Sequence, residues 1–258
     1  MERNGRARWQ DIQSTQSGLA SCPKLSGYLH FSGCEYRKKT RSCAEPFHLQ
    51  ECPLPFLPLR NGGLNQLSYS LYFFFRDVAD SDFIGWIDRQ LMLALKDQTS
   101  ASFEQLGQAL IGSMRHIHAI SDKVLNLVLS TLLLGAGRNK SHWEETGASM
   151  IAIDTLVHNF LARTGILKRS KSEHAYGPQC YAPGGCADLI RALASNIDSQ
   201  QFNPNFPKRF PRFVQKSIWE YCAAEGQNIC NGNKISDASR CGNTECRIFG
   251  SCDRISRY

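Results

Sequence analysis

The sequence has no long apolar run. Nothing in it approaches the roughly 18 consecutive apolar residues of a membrane-spanning helix. Its most apolar stretches, Leu71 to Phe75 and Val124 to Leu134, have lengths that suit buried helix. No membrane partner is expected. The first eighteen residues are polar and basic without an apolar core, so they do not read as a secretory signal, and a cytoplasmic location is expected. Strand signals are weak throughout, and no internal repeat is found.

What is present begins with cysteine. Eleven cysteines fall in three groups: Cys22, Cys34, Cys43 and Cys52; Cys180 and Cys186; then Cys222, Cys230, Cys241, Cys246 and Cys252. Without an export signal, metal binding is expected ahead of a disulfide framework, and an odd count fits full pairing poorly. The net charge of +7 is uneven. Residues 1–60 carry nine Lys/Arg against five Asp/Glu, residues 206–258 carry the same nine against five, and the 145 residues between carry twelve against thirteen. A near-neutral body with two basic ends suits a polyanionic partner.

At 258 residues and 42% hydrophobic, the chain is long enough for a sizeable core. Residues 1–62 are rich in Gly, Ser, Pro and Cys and read as an irregular basic extension. From there the pattern turns helical, with helices expected at about 64–77, 82–97, 103–115, 121–134, 145–163, 185–196 and 207–224. The class is all-α, with residues 63–258 as the main domain and a loop-rich cysteine tail at 230–252. Arg138 to Glu145 reads as a polar loop. Lys168 to Gly185 reads as a long loop ordered by aromatics and prolines. Cys180 and Cys186 read as buried thiols, with metal binding as the alternative. Tyr69, Tyr72, Phe73, Phe74 and Trp86 read as core aromatics, with stacking on a ligand as the alternative.

Three motifs carry chemistry. The run Ala152-Ile153-Asp154-Thr155, followed by Leu156, Val157, Phe160 and Leu161 at helical spacing, places Asp154 as a helix N-cap. Upstream, Ala119-Ile120-Ser121-Asp122-Lys123 precedes the apolar helix beginning Val124-Leu125. Downstream lies Cys230-x10-Cys241-x4-Cys246-x5-Cys252. Four such thiolates can hold an iron–sulfur cluster or tetrahedral zinc.

In this order the motifs resemble those of the helix-hairpin-helix DNA glycosylases, endonuclease III-like with C-terminal iron–sulfur cysteines. The resemblance spans roughly residues 64–258 and is strongest in 117–164 and 226–252. The family's hairpin has the form Gly-hydrophobic-Gly; Ala119 and Ser121 stand where the two glycines belong. That departure removes the closest approach of backbone amides to a DNA phosphate. Ser121 is instead placed to cap the next helix. Thirty-one positions separate Lys123 from Asp154, which implies an insertion near 135–146. Lys140, after Gly135-Ala136-Gly137-Arg138, is a second-ranked candidate that lies closer to Asp154 than the family's layout allows.

The resemblance implies a two-lobed helical glycosylase fold and base-excision repair of double-stranded DNA carrying a damaged or modified base. A carboxylate at Asp154 would stabilise the positive charge that develops on the sugar as the N-glycosidic bond breaks. A neutral amine at Lys123 would attack C1′ and form a Schiff base, giving AP-lyase activity. The target base would leave the duplex for a pocket between lobes. Cys230, Cys241, Cys246 and Cys252 would hold a [4Fe–4S] cluster. Ser121, Lys234 and Arg240 would meet DNA phosphates, with Arg247, Arg254 and Arg257 extending the basic end. A monomer is expected, nucleoid-associated if the source is bacterial. The other reading is a non-catalytic nucleic-acid-binding protein on the same scaffold, with structural Fe–S or zinc. In the extension, Cys34, Cys43, His48 and Cys52 form a possible zinc set, flanked by Arg37, Lys38, Lys39 and Arg41.

Overall fold

The computed structural model describes residues 22–37, 64–97, 102–136, 140–232 and 234–257. Among these residues the chain is helical, with ten α-helices and no β-strand. None of the described helices is long and apolar enough to cross a membrane. The chain divides into two compact units, residues 1–101 with 108–121, and residues 102–107 with 122–258. The boundary expected at 62/63 falls outside the described residues.

In the first unit the helices are α1 (Tyr28–Ser32), α2 (Leu64–Phe73), α3 (Phe83–Asp97) and the greater part of α4 (Phe103–Met114). A π-helical turn, Phe74–Val78, continues α2. Its core is aromatic. Phe31 packs against Tyr69, Phe73 and His118, and Trp86 meets Phe74 edge-on at 5.0 Å and stacks on Phe83 at 5.6 Å. Tyr69, Tyr72, Phe73, Phe74 and Trp86 are all buried. The open choice between core and ligand stacking thus resolves to core.

The segment after α4 is pinned to this unit. The His118 amide donates to Ser70 Oγ at 3.1 Å, and His118 Nε2 lies 2.9 Å from the Phe31 carbonyl. Ala119 then takes a positive φ of 59°. That is the left-handed conformation glycine adopts without strain.

The second unit holds α5 (Asp122–Leu134), α6 (Ser141–Ser149), α7 (Thr155–Arg163), α8 (Ile166–Arg169), α9 (Cys186–Ala194) and α10 (Pro211–Cys222). Ile153, Val157, Leu161, Leu167, Ile190, Val214 and Ile218 form its core, with Cys180, Cys186 and Cys222 fully enclosed among them.

Two local expectations are corrected here. The polar stretch 138–145 is not all loop, because α6 starts at Ser141 and buries Trp143, Thr146 and Ala148. Gly147 sits where a Cβ would come within 2.9 Å of Leu133 Cβ, so glycine lets α6 lie directly on α5. The single helix expected over 145–163 is broken. The backbone turns extended at Met150 and stays so to Asp154, whose φ and ψ are −113° and −178°. Ile151, Ala152 and Ile153 are buried in that extended stretch. The Tyr181 hydroxyl accepts from the Ile153 amide at 2.8 Å, replacing the helical bond the break gives up.

Candidate functional site

Asp154 caps α7. Its carboxylate accepts from the Val157 amide at 2.9 Å, three residues on. The side chain is half-buried and lines a cavity of about 420 Å³ within the second unit. Lys123, from the first turn of α5, lines the same cavity. The remaining walls are Leu127 and Ala152, with Arg212, Gln215, Lys216 and Trp219 from α10. A volume of that size lies in the range of small-molecule sites.

Three cations face this space against one carboxylate. Burial lowers the basicity of the Arg212 guanidinium, and the nearby Tyr181 and Asp154 act against that. Arg212 also donates to Gln215, which holds it against α10. Lys216 lies over the Trp219 ring at 3.8 Å and pairs with Glu220 at 2.9 Å. Lys123 and Asp154, paired in the sequence reading through the resemblance, line one cavity. Lys140 lies before α6 with its ammonium 4.1 Å from the centre of the Trp143 ring and does not line that cavity. Ser121 is exposed, immediately before α5.

The tail cysteines also converge. Cys230, Cys241, Cys246 and Cys252 line one small cavity with Ile229, Ile235, Ile248 and Phe249, closed by Arg163, Thr164 and Arg254. The Tyr221 hydroxyl lies 3.0 Å from Cys246 Sγ. A hydrogen bond with Cys222 favours the Cys230 thiolate, whereas burial pushes the Cys252 thiol up. Four thiols are a donor type that clusters and tetrahedral metals use, but among the described residues these sulfurs are not gathered closely enough to hold one ion.

The tail is tied to the C-terminal end of the Asp154 helix. Arg163 is 2% exposed and pairs with Asp237, and its carbonyl accepts from the Ile255 amide at 3.0 Å. Lys234, Arg240 and Arg247 stand exposed on this tail.

A further group was not assembled from the sequence. His158 on α7, His174 and Cys180 on the following loop, and Cys186 at the start of α9 bring one ligand atom each within 4.8 Å of one another. His158, Cys180 and Cys186 are fully buried. His158 Nδ1 lies 3.4 Å from Cys186 Sγ and 3.6 Å from Cys180 Sγ, and His174 Nε2 lies 3.4 Å from Cys186 Sγ. The hydrogen bond with Cys186 holds the Cys180 thiol far down, to about 3, with those of His158 and the Gly177 amide helping against burial. This group can bind a metal ion.

Its signal in the sequence is His158-x15-His174-x5-Cys180-x5-Cys186, longer than familiar finger spacings and divided between a helix, a loop and a second helix. The reading of Cys180 and Cys186 as buried thiols holds for their burial and left out the two histidines. In the N-terminal set, Cys34 is half-buried, with Gln66 Nε2 3.9 Å from its sulfur. Cys43, His48 and Cys52 lie outside the described residues, as do Lys38, Lys39 and Arg41.

The chain matches no protein-family model, and comparison with curated proteins and with solved structures finds no match.

Proposed function

We propose that this chain is a base-excision DNA glycosylase of the helix-hairpin-helix kind, with AP-lyase activity. The observation that carries the reading is the shared cavity of Lys123 and Asp154, walled by Arg212 and Lys216. A carboxylate fixed by its own cap, beside an amine and two further cations, suits a substrate that is a polyanion and becomes cationic at one carbon as it reacts.

In this reading a base turned out of the duplex enters the cavity. Asp154 stabilises the positive charge growing on the sugar as the C1′–N bond breaks and its electron pair leaves with the base. The lone pair of the Lys123 amine bonds to C1′ and the nitrogen gives up a proton. The C1′–O4′ bond then breaks, its electron pair going to O4′, which takes a proton, and the ring-opened sugar is left as the Schiff base. Removal of a C2′ proton then expels the 3′ phosphate. Arg212 and Lys216, with the exposed Lys234, Arg240 and Arg247, hold the backbone phosphates.

Cys230, Cys241, Cys246 and Cys252 would hold a [4Fe–4S] cluster, whose part would be to order the basic tail. Cytoplasmic double-stranded DNA with a damaged or modified base is the proposed partner, met by a monomer. The alternative, a non-catalytic DNA-binding protein on this scaffold, draws on the loss of both hairpin glycines at Ala119 and Ser121.

Borohydride trapping on duplexes containing oxidised, alkylated, deaminated or mismatched bases separates the two. The enzyme reading expects a covalent adduct on at least one duplex, lost in Lys123→Ala while DNA binding persists. Binding without an adduct or excision on any duplex favours the non-catalytic protein. An adduct unchanged in Lys123→Ala removes this lysine from the chemistry.

A further inference from the structure

We infer that His158, His174, Cys180 and Cys186 form a closed, structural zinc centre that clamps the loop 172–185 to the Asp154 helix. The two functional assignments above do not use these residues, and the centre lies apart from the tail cysteines.

The distances favour a common central ion over separate hydrogen bonds. Tetrahedral zinc with Zn–S of about 2.3 Å and Zn–N of about 2.0–2.1 Å sets sulfur and nitrogen ligands about 3.6 Å apart. Three of the four sulfur–nitrogen separations here are 3.4, 3.6 and 3.4 Å, and all four ligand atoms lie within 4.8 Å of one another. His158 Nδ1 faces two sulfurs at once, and Cys186 Sγ faces two imidazole nitrogens. Weak thiol hydrogen bonds could link these atoms in a chain, whereas one cation would meet the lone pairs of all four ligands at once.

The surroundings of His174 agree, whereas His158 Nε2 is buried without a hydrogen-bond partner. His174 Nδ1 lies 2.6 Å from the Ser172 carbonyl, which can only accept, so Nδ1 carries the proton. The lone pair of neutral His174 is therefore on Nε2, the atom aimed at Cys186. Holding the remote imidazole N–H on a backbone carbonyl is the usual way a ligand histidine is oriented. Two thiols and two imidazoles, three of the four residues fully buried, match a closed zinc site with no open coordination position for chemistry.

The consequence is local. His174 and Cys180 come from the loop and Cys186 opens α9, while His158 sits one turn into α7. The same loop carries Tyr176 and Tyr181. The Tyr181 hydroxyl takes the Ile153 amide at 2.8 Å, and both hydroxyls lie 3.5 Å from the Ile153 carbonyl. Ile153 is the residue before Asp154. Gly185 completes the fit, because a Cβ there would come within 2.3 Å of the Gln179 carbonyl oxygen. Zinc therefore fixes the segment that sets the direction of Asp154. The meaning of that for catalysis rests on the glycosylase reading; the centre itself does not.

Metal content of the purified full chain is the test, with hydrogen exchange as a second readout. The wild-type chain is expected to hold one zinc equivalent more than His174→Ala, and His174→Cys, which keeps a zinc ligand, restores it. Cys241→Ser keeps that equivalent whatever the tail binds. In His174→Ala, exchange rises across 172–185 and at the Ile153 amide, without DNA present. Cobalt added to the zinc-stripped Cys241→Ser protein, whose tail set is broken, gives the tetrahedral thiolate spectrum, and adding His174→Ala to that protein abolishes it. Equal zinc in wild type and His174→Ala would overturn the centre, as would wild-type protein that, purified under reducing conditions with zinc supplied, carries no zinc lost in His174→Ala. Loss of zinc with unchanged exchange at Ile153 would overturn the clamp.

Discussion

His158 follows Asp154 by one helical turn, and its amide closes the first turn of the helix on the Asp154 carbonyl at 3.0 Å. That single turn joins two assemblies. Its first residue lines the cavity shared with Lys123, and its fifth belongs to the buried His/Cys group. Nine residues past Asp154, Arg163 anchors the cysteine tail through Asp237 and Ile255.

The Arg163–Asp237 pair should be costly to split. Arg163 is almost fully buried, and its Nη1 has no hydrogen-bond partner. Asp237→Asn leaves that guanidinium uncompensated and is expected to cost about 3–5 kcal/mol. Urea unfolding followed by tryptophan fluorescence measures this. A loss below about 1 kcal/mol would show that the tail does not depend on the pair.

Ala119 holds a glycine-like backbone with a Cβ. A left-handed alanine costs roughly 1–2 kcal/mol relative to its preferred conformation. Ala119→Gly removes that strain but adds freedom to the unfolded chain, which offsets up to about 1 kcal/mol. The net expectation is a stabilisation of up to about 1 kcal/mol, read as a higher urea midpoint. Under the proposed function the variant also binds duplex DNA more tightly, because the hairpin amides come closer to a phosphate.

Tyr28 is buried in the first unit, and burial pushes its hydroxyl up to about 12. Below the unfolded value near 10 the phenol is neutral in both states, so the folded chain bears no penalty. Between pH 10 and about 12 only the unfolded chain ionises, so stability falls as pH rises through that window. Tyr28→Phe removes this contribution and is expected to flatten the alkaline loss. Identical pH profiles for the two proteins would contradict the assignment.

How far the sequence reaches can be followed along the chain. The helices at 83–97, 103–114 and 122–134 stand within a residue of where apolar periodicity puts them. The break at Met150–Asp154 was hidden because Ile151 and Ile153 keep the apolar pattern going; the hydroxyl that satisfies Ile153 comes from Tyr181, twenty-eight residues on. The α6 helix was obscured by its polar composition, and Gly147, a poor helix former, is there for packing against Leu133. The Asp154 cap was legible because capping is local. The joining of His158 to Cys186 was not, because it is set by how α7, the loop and α9 pack.

The cap and the proposed chemistry of Asp154 can be separated by choice of side chain. Asparagine caps a helix about as well as aspartate, while alanine does not. Asp154→Asn should therefore stay within a few tenths of a kcal/mol of wild type, and Asp154→Ala should lose about 1 kcal/mol, both read by thermal unfolding.

The decisive measurement is single-turnover base excision by Asp154→Asn on the duplex that traps the wild-type chain. The account predicts a fall of at least about 100-fold in the excision rate, with folding and duplex affinity retained. Excision at the wild-type rate by a folded Asp154→Asn protein would contradict it.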